Sequence, residues 1–148
     1  MGRDPSVTDP IAEELRMIRQ NVPGIRGSIT ATRDGLLVAH DVHDLEPTGI
    51  AALVAALHAV AARASLSTQG GQLREVVSRG ADGYLAVYAA GDAAIVAVLG
   101  TNDMNVAMLN LQARKMIDRI TEHSAGLVKS PPPGSAGPAQ ADGDAGDE

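Results

Sequence analysis

The stretch that decides the fold is PTGIAALVAALHAVAARAS, residues 47–65. Apolar side chains recur there every three or four positions, which predicts a helix with a stripe that packs on a sheet. The stripe consists of Ile50, Leu53, Val54, Leu57, Val60 and Ala64. The opposite face carries alanines where an exposed helix carries charges, with His58 and Arg63 as its long polar side chains. A helix that is apolar all round is normally buried all round, so we expect a second surface, most simply another copy of the chain, to cover the alanine face.

The chain before this helix predicts one helix and a β-hairpin. The pair Asp9-Pro10 is a typical helix start, because Asp serves as an N-cap and Pro suits the first helical position. Residues 25–32 alternate apolar and polar side chains, as a strand does. An Asp34-Gly35 turn then leads into a second strand at residues 36–40.

The chain after the central helix predicts three more strands and a last helix. The strands lie at 72–78, 84–89 and 93–99, and the first is the most polar, which suits a sheet edge. Residues 101–103 offer N-caps for the helix, and Gly126 offers a stop. The order α-β-β-α-β-β-β-α predicts an α+β fold, an α/β sandwich. We expect a five-stranded antiparallel sheet with the central helix on one face and the two terminal helices on the other.

Composition divides the chain into a leader at residues 1–8, a domain at 9–125 and a tail at 126–148. The tail is rich in Pro, Gly and acidic residues. It cannot bury enough apolar surface to offset the entropy of ordering it, so we expect it to be disordered. The leader is expected to be flexible.

Charge and composition exclude several classes of function. The 148 residues carry a net charge of −6 and no basic stripe, which argues against nucleic acid as a partner. Two tyrosines are the whole aromatic content, so stacking on bases is nearly excluded, and the absence of cysteine excludes a disulfide framework. There is no signal-peptide pattern, and His58 and Arg63 interrupt the longest apolar segment. We therefore expect no membrane insertion and a cytoplasmic location.

One short stretch contains candidate metal ligands. His40, Asp41, His43 and Asp44 combine two imidazoles with two carboxylates, which are ligands that transition metals accept. The same residues are also common at the polar end of a strand, and no further ligand stands at a motif spacing. No phosphate-binding loop or catalytic motif occurs in the chain, so we expect no enzyme and no cofactor. A metal-dependent enzyme remains an alternative, which elemental analysis of the purified protein tests.

Three local strings, together with the order of the elements, resemble the Roadblock/LC7 family. They are Val22-Pro23-Gly24-Ile25 before the first strand, Arg33-Asp34-Gly35-Leu36 at the hairpin, and Gly83-Tyr84-Leu85 at the fourth strand. The resemblance covers about residues 10–124. The chain is similar to the bacterial members encoded in conservon-type operons, beside a histidine-kinase-like protein and a small Ras-like GTPase.

The resemblance implies a dimer and a partner. Family members form homodimers or heterodimers in which the central helices pack together and the third strands pair into a ten-stranded sheet. Carried onto this chain, the dimer interface consists of Ala51, Ala52, Ala55, His58, Ala59, Ala62, Arg74, Glu75, Val76, Val77 and Ser78. The resemblance further implies a non-catalytic regulator or scaffold that binds a small Ras-like GTPase in bacterial signalling and modulates its nucleotide cycle. A histidine-kinase-like protein of the same operon is a further expected partner.

Two points about this function stay open at the level of sequence. A gliding-motility relative acts as a GTPase-activating protein, but no feature of the chain marks an arginine finger. The alternative function is a small-molecule sensor without a GTPase partner, because related α/β domains bind ligands in a pocket under a helix.

Overall fold

A computed structural model of the chain describes residues 9–128, which form three helices and five strands. In chain order these are α1 (Pro10–Asn21), β1 (Ile25–Thr32), β2 (Leu37–Asp41), α2 (Pro47–Ser67), β3 (Glu75–Arg79), β4 (Tyr84–Ala90), β5 (Ala94–Gly100) and α3 (Val106–Val128). Neighbouring strands all pair antiparallel, in the order β2-β1-β5-β4-β3. The predicted element order and the α+β class are confirmed. β3 is an edge strand, as its polar sequence predicts.

The sheet separates two hydrophobic cores. α1 and α3 pack against each other and against one face of the sheet, whereas α2 packs on the opposite face. The alternation of side chains along each strand divides them between the cores. On β5, Val96 and Val98 belong to the core under α1 and α3, whereas Ile95 and Ala97 lie under α2. β5 is buried on both faces, which explains its continuous apolar sequence.

Several element boundaries differ from those that the sequence predicts. β3 begins at Glu75 rather than at residue 72, and α3 continues through Gly126 to Val128. The run 101–103 does not cap α3. The Asn105 side chain does so instead, because its Oδ1 accepts a hydrogen bond from the Met108 amide at 3.0 Å. The leader at 1–8 and the tail from residue 129 onward lie outside the described residues.

The β1–β2 hairpin turn lies directly beside α2. Gly35 adopts φ +98°, a conformation that favours glycine, and its amide donates to the Thr32 carbonyl at 3.0 Å. A Cβ at Gly35 would stand 3.5 Å from the Ala52 backbone and 3.7 Å from the Ala55 side chain. The turn therefore limits the space beside the first half of α2.

Candidate interaction surface

α2 turns a different face to the sheet from the one that the sequence predicts. Its fully buried residues are Ala51, Val54, Ala55 and His58. Leu53 and Val60, which were predicted to pack on the sheet, are 72% and 68% exposed. The predicted outward positions Ala51, Ala55 and His58 are thus wrong, because their side chains lie against the protein's own sheet. Hydropathy does not distinguish two apolar faces, whereas the small alanines allow the helix to approach the sheet closely.

The outer face of α2 is apolar and uncovered. Its exposed residues from the second turn onward are Ala52, Leu53, Ala56, Ala59, Val60, Arg63, Ala64, Leu66 and Ser67. Ile50, Leu57 and Ala61 are half-buried along one side of this face. We call the row Ile50, Leu53, Leu57, Val60 and Ala64 the α2 stripe. By length and composition α2 would also pass for a membrane-spanning helix, although one of its faces packs on the sheet of a folded domain. Among the residues that the structure describes, the stripe is an aliphatic surface whose Leu53 and Val60 side chains are largely exposed.

The sheet continues this apolar surface beyond α2. α2 packs mainly against β1, β2 and β5, so its side of β4 and β3 has less cover. Val76, Leu85 and Leu99 are half-buried there and contact the core under α2. The surface reaches the outer sheet edge at β3. The predicted interface residues of that strand remain accessible, since Glu75, Val77 and Ser78 are exposed and Val76 is half-buried; Arg74, just before it, is also exposed.

His58 is a core residue rather than a contact residue on the outer face. It is 4% exposed, and its Nε2 has no hydrogen-bond partner among the residues that the structure describes. Burial lowers the pKa of His58, and the positive charge of Arg33 lowers it further. The imidazole is therefore neutral at neutral pH.

The candidate metal ligands take part in an ion pair instead. Asp41 is buried, and its Oδ2 accepts from Arg19 Nε at 2.5 Å, which connects β2 to α1. His43 Nε2 lies 3.5 Å from Asp41 Oδ1, and His40 Nδ1 accepts from the Val42 amide at 3.3 Å. Within residues 9–128 no group of three or more His, Asp or Glu side chains is arranged to hold a metal ion. The described part of the chain thus offers no support for a metal-dependent enzyme at this stretch.

A broad groove of about 1220 Å³ lies between α3, the segment before β3 and the β4–β5 turn. Tyr88 forms part of its lining, and its hydroxyl donates to Asn110 Oδ1 at 2.7 Å. The charged residues around the groove balance in sign: Arg33, Arg74 and Arg114 face it together with Glu75, Asp92 and Asp118. The groove is open and polar, unlike the concave apolar pockets that enclose small ligands. It therefore does not strengthen the sensor alternative.

Comparison with known proteins identifies the fold. Residues 11–100 match the sequence model of the Roadblock/LC7 domain. A Roadblock/LC7 domain from Streptomyces avermitilis has 23% identity and a TM-score of 0.72, with 79% of this chain and 99% of that one covered. MglB from Myxococcus xanthus has 16% identity and a TM-score of 0.70, with 78% and 95% covered. The gliding protein MglB from Thermus thermophilus has 18% identity and a TM-score of 0.66, with 78% and 92% covered.

A comparison with curated protein sequences gives no match. The solved structures share the fold at low sequence identity, and the domain match covers more than half of the chain. With the element order, the sheet and the three helices in agreement, the chain belongs to the Roadblock/LC7 family.

Proposed function

We propose that this protein is a non-catalytic, dimeric regulator or scaffold that binds a small Ras-like GTPase in a bacterial signalling system in the cytoplasm. Family membership supports a regulatory, GTPase-associated role. The observation that carries the proposal is the α2 stripe, which is apolar and has Leu53 and Val60 largely exposed, beside a sheet whose edge strand β3 pairs with no further described strand. Exposed apolar surfaces of this kind mark protein interaction sites.

The dimer is proposed to form through the α2 stripe and β3. Of the predicted helix positions, Ala52, Ala59 and Ala62 remain part of this surface, since they are exposed or half-buried. The stripe adds large side chains, led by Leu53 and Val60, which bury more area than alanines do. A stable dimer of this size is expected to bury about 1,200–2,000 Å² in total.

The GTPase is proposed to dock on the surface that the two copies form together. Binding in that position regulates hydrolysis by holding the mobile catalytic loops of the GTPase in one conformation, which needs no arginine finger. Arg63 is exposed on α2 but has no feature that distinguishes it from an ordinary surface arginine.

A pull-down tests this function directly. A small Ras-like GTPase from a conservon-type operon is loaded with GDP or with a non-hydrolysable GTP analogue and passed over the immobilised protein. We expect retention that depends on the nucleotide, and a changed rate of GTP hydrolysis in solution. Leu53→Glu should abolish retention. Leu111→Glu is the matched control, because Leu111 is similarly exposed, at 60%, but lies on α3 at the opposite face of the sheet. Retention that is equal for both nucleotides, with no effect on hydrolysis, would contradict a regulatory role.

A further inference from the structure

His58 is a buried ionisable group that the proposed interaction surface does not use. It lies on the face of α2 that packs on the sheet, and its Nε2 atom has no hydrogen-bond partner among the described residues. A buried polar atom without a partner is unfavourable, and a buried unpaired charge is far more so. The fold therefore tolerates the neutral imidazole and opposes the protonated one.

The β1–β2 turn lies beside this part of α2. The turn approaches the helix at Ala55, one helical turn before His58, where a Cβ at Gly35 would stand 3.7 Å from the Ala55 side chain. Arg33 is the first residue of the turn after β1. Burial lowers the pKa of His58, and the positive charge of Arg33 lowers it further. Closure of this turn over α2 thus adds to the cost of a proton on His58.

Arg33 connects the β1–β2 turn to the β4–β5 turn. Its Nη2 donates to the Gly91 carbonyl at 2.6 Å, and its amide donates to the Ala93 carbonyl at 3.3 Å. Arg33 and Gly91 both line the broad groove described above, and Arg33 is exposed. Its guanidinium can therefore exchange the Gly91 carbonyl for water without becoming a buried charge. Such a link between surface turns belongs to the part of a fold that opens locally before the core does.

The other elements around His58 supply no counter-charge bonded to its Nε2. On the face under α2, the strands β1, β2, β4 and β5 contribute apolar side chains to the core. The further charged groups of the two turns and of the second half of α2 are Asp34, Asp92 and Arg63. None of these three bonds to Nε2. A proton on the buried imidazole is therefore not compensated while the turn is closed.

We propose that His58 and Arg33 form a proton-sensitive contact that keeps the β1–β2 turn closed at neutral pH and opens it in acid. When His58 takes up a proton, Arg33 moves away, its hydrogen bond to Gly91 breaks, and water from the groove reaches the imidazolium. The open form has a His58 pKa near the ordinary 6.5, whereas that of the closed form is lower. The closed form is thus fully favoured above pH 6.5, and each pH unit below favours opening by up to about tenfold.

The turn also borders the outer face of α2. A Cβ at Gly35 would stand 3.5 Å from the backbone of Ala52, which is exposed, and Leu36 of the same turn is exposed as well. Opening of the turn therefore changes one border of the proposed interaction surface, and partner binding weakens in acid. This consequence rests on the proposed function, whereas the opening itself does not.

Amide hydrogen exchange at low urea concentrations tests the opening in the full chain. The amides of Arg33 and Gly35 report on the turn, because they donate to the Ala93 and Thr32 carbonyls. After correction for the pH dependence of chemical exchange, their protection should fall by up to about tenfold between pH 7.5 and 5.5. The exchange should depend little on urea, since a local opening exposes little surface. Protection that does not change with pH, or the urea dependence of the central β5 amides, would overturn the proposal.

An NMR titration of the imidazole tests the part of Arg33 separately. Arg33→Met should raise the pKa of His58 and remove most of the pH dependence of exchange in the turn, because it removes the neighbouring positive charge. Arg63→Met is the matched control, because Arg63 is an exposed arginine of the same helix. It should leave the pKa of His58 unchanged. An equal effect of both variants would show that the turn has no special action on His58 and would refute the contact.

The GTPase pull-down, repeated at pH 7.5 and 5.5, connects the opening to partner binding. Retention by the wild type should fall several-fold at pH 5.5, whereas His58→Gln should retain similar amounts at both pH values. An equal fall in both proteins would refute the link between opening and binding. No retention at either pH would refute the proposed function, while hydrogen exchange still decides whether the turn opens.

Discussion

Ala55→Glu should destabilise the packing of α2 on the sheet, and so the folded domain itself, rather than disturb a contact on the outer face of the helix. Ala55 is 6% exposed, and the hairpin turn at Gly35 lies beside it, so a glutamate side chain has no room to reach water. Burial of an uncompensated carboxylate costs about 3–5 kcal/mol. The total stability of a domain is about 5–15 kcal/mol, so this single change removes a large part of it.

Urea unfolding followed by circular dichroism measures the effect. With a urea dependence of about 1.5 kcal/mol per molar, the Ala55→Glu midpoint should fall by about 2–3 M. Leu53→Glu is the control on the same helix, because Leu53 is largely exposed and its change should alter monomer stability by less than about 0.5 kcal/mol. The midpoint of the wild type should rise with protein concentration if it dimerises, and Leu53→Glu should remove that rise.

The opposite pattern would refute the orientation of α2. If Ala55→Glu kept the wild-type midpoint at low protein concentration while Leu53→Glu lost several kcal/mol, the leucine stripe would be the face on the sheet. Equal losses in both variants would show that both faces are buried within one chain.

Three further predictions concern stability. The pKa of His58 is lowered in the folded chain, so below about pH 6.5 the unfolded chain binds a proton more readily than the folded chain does. The free energy of unfolding should therefore fall as the pH drops from 7.5 to 5.5. In urea titrations, His58→Gln should reduce this dependence of stability on pH. Arg19→Met removes the partner of the buried Asp41 carboxylate and should lower the melting temperature, and the double variant with Asp41→Leu should largely recover it in thermal unfolding. Gly83→Ala would place a Cβ 2.5 Å from the Gly100 carbonyl oxygen and should lower the melting temperature by at least about 4 °C, whereas Gly49→Ala, with open space around it, should not lower it.

The fold follows largely from local patterns in the sequence. Period-2 alternation marks β1, and the Asp34-Gly35 turn marks its hairpin, because both features act over a few residues. The continuous apolar run of β5 indicates a central strand for the same reason. These signals do not depend on the rest of the molecule.

The orientation of α2 depends on the rest of the molecule and is not predicted correctly. Both of its faces are apolar, so hydrophobicity gives no preference between Leu53 outward and Ala55 outward. The choice depends on how closely the helix can approach β1 and the turn at Gly35, which is a property of the assembled domain. The same limit applies to the cap of α3, where Asn105 is selected over the equally suitable residues at 101–103.

The two faces of α2 have separate roles: one face, with Ala51 and Ala55, packs on the sheet, and the other face, with Leu53 and Val60, is exposed. Leu53 and Val60 face outward, whereas Ala51, Val54, Ala55 and His58 are buried, so substitutions of Leu53 or Val60 leave the buried face of the helix unchanged. After gene duplication, one copy of such a domain can therefore acquire different binding partners through a few substitutions at exposed positions of α2 and still adopt the same fold. The outer face of α2 can thus change its binding specificity while the fold stays the same.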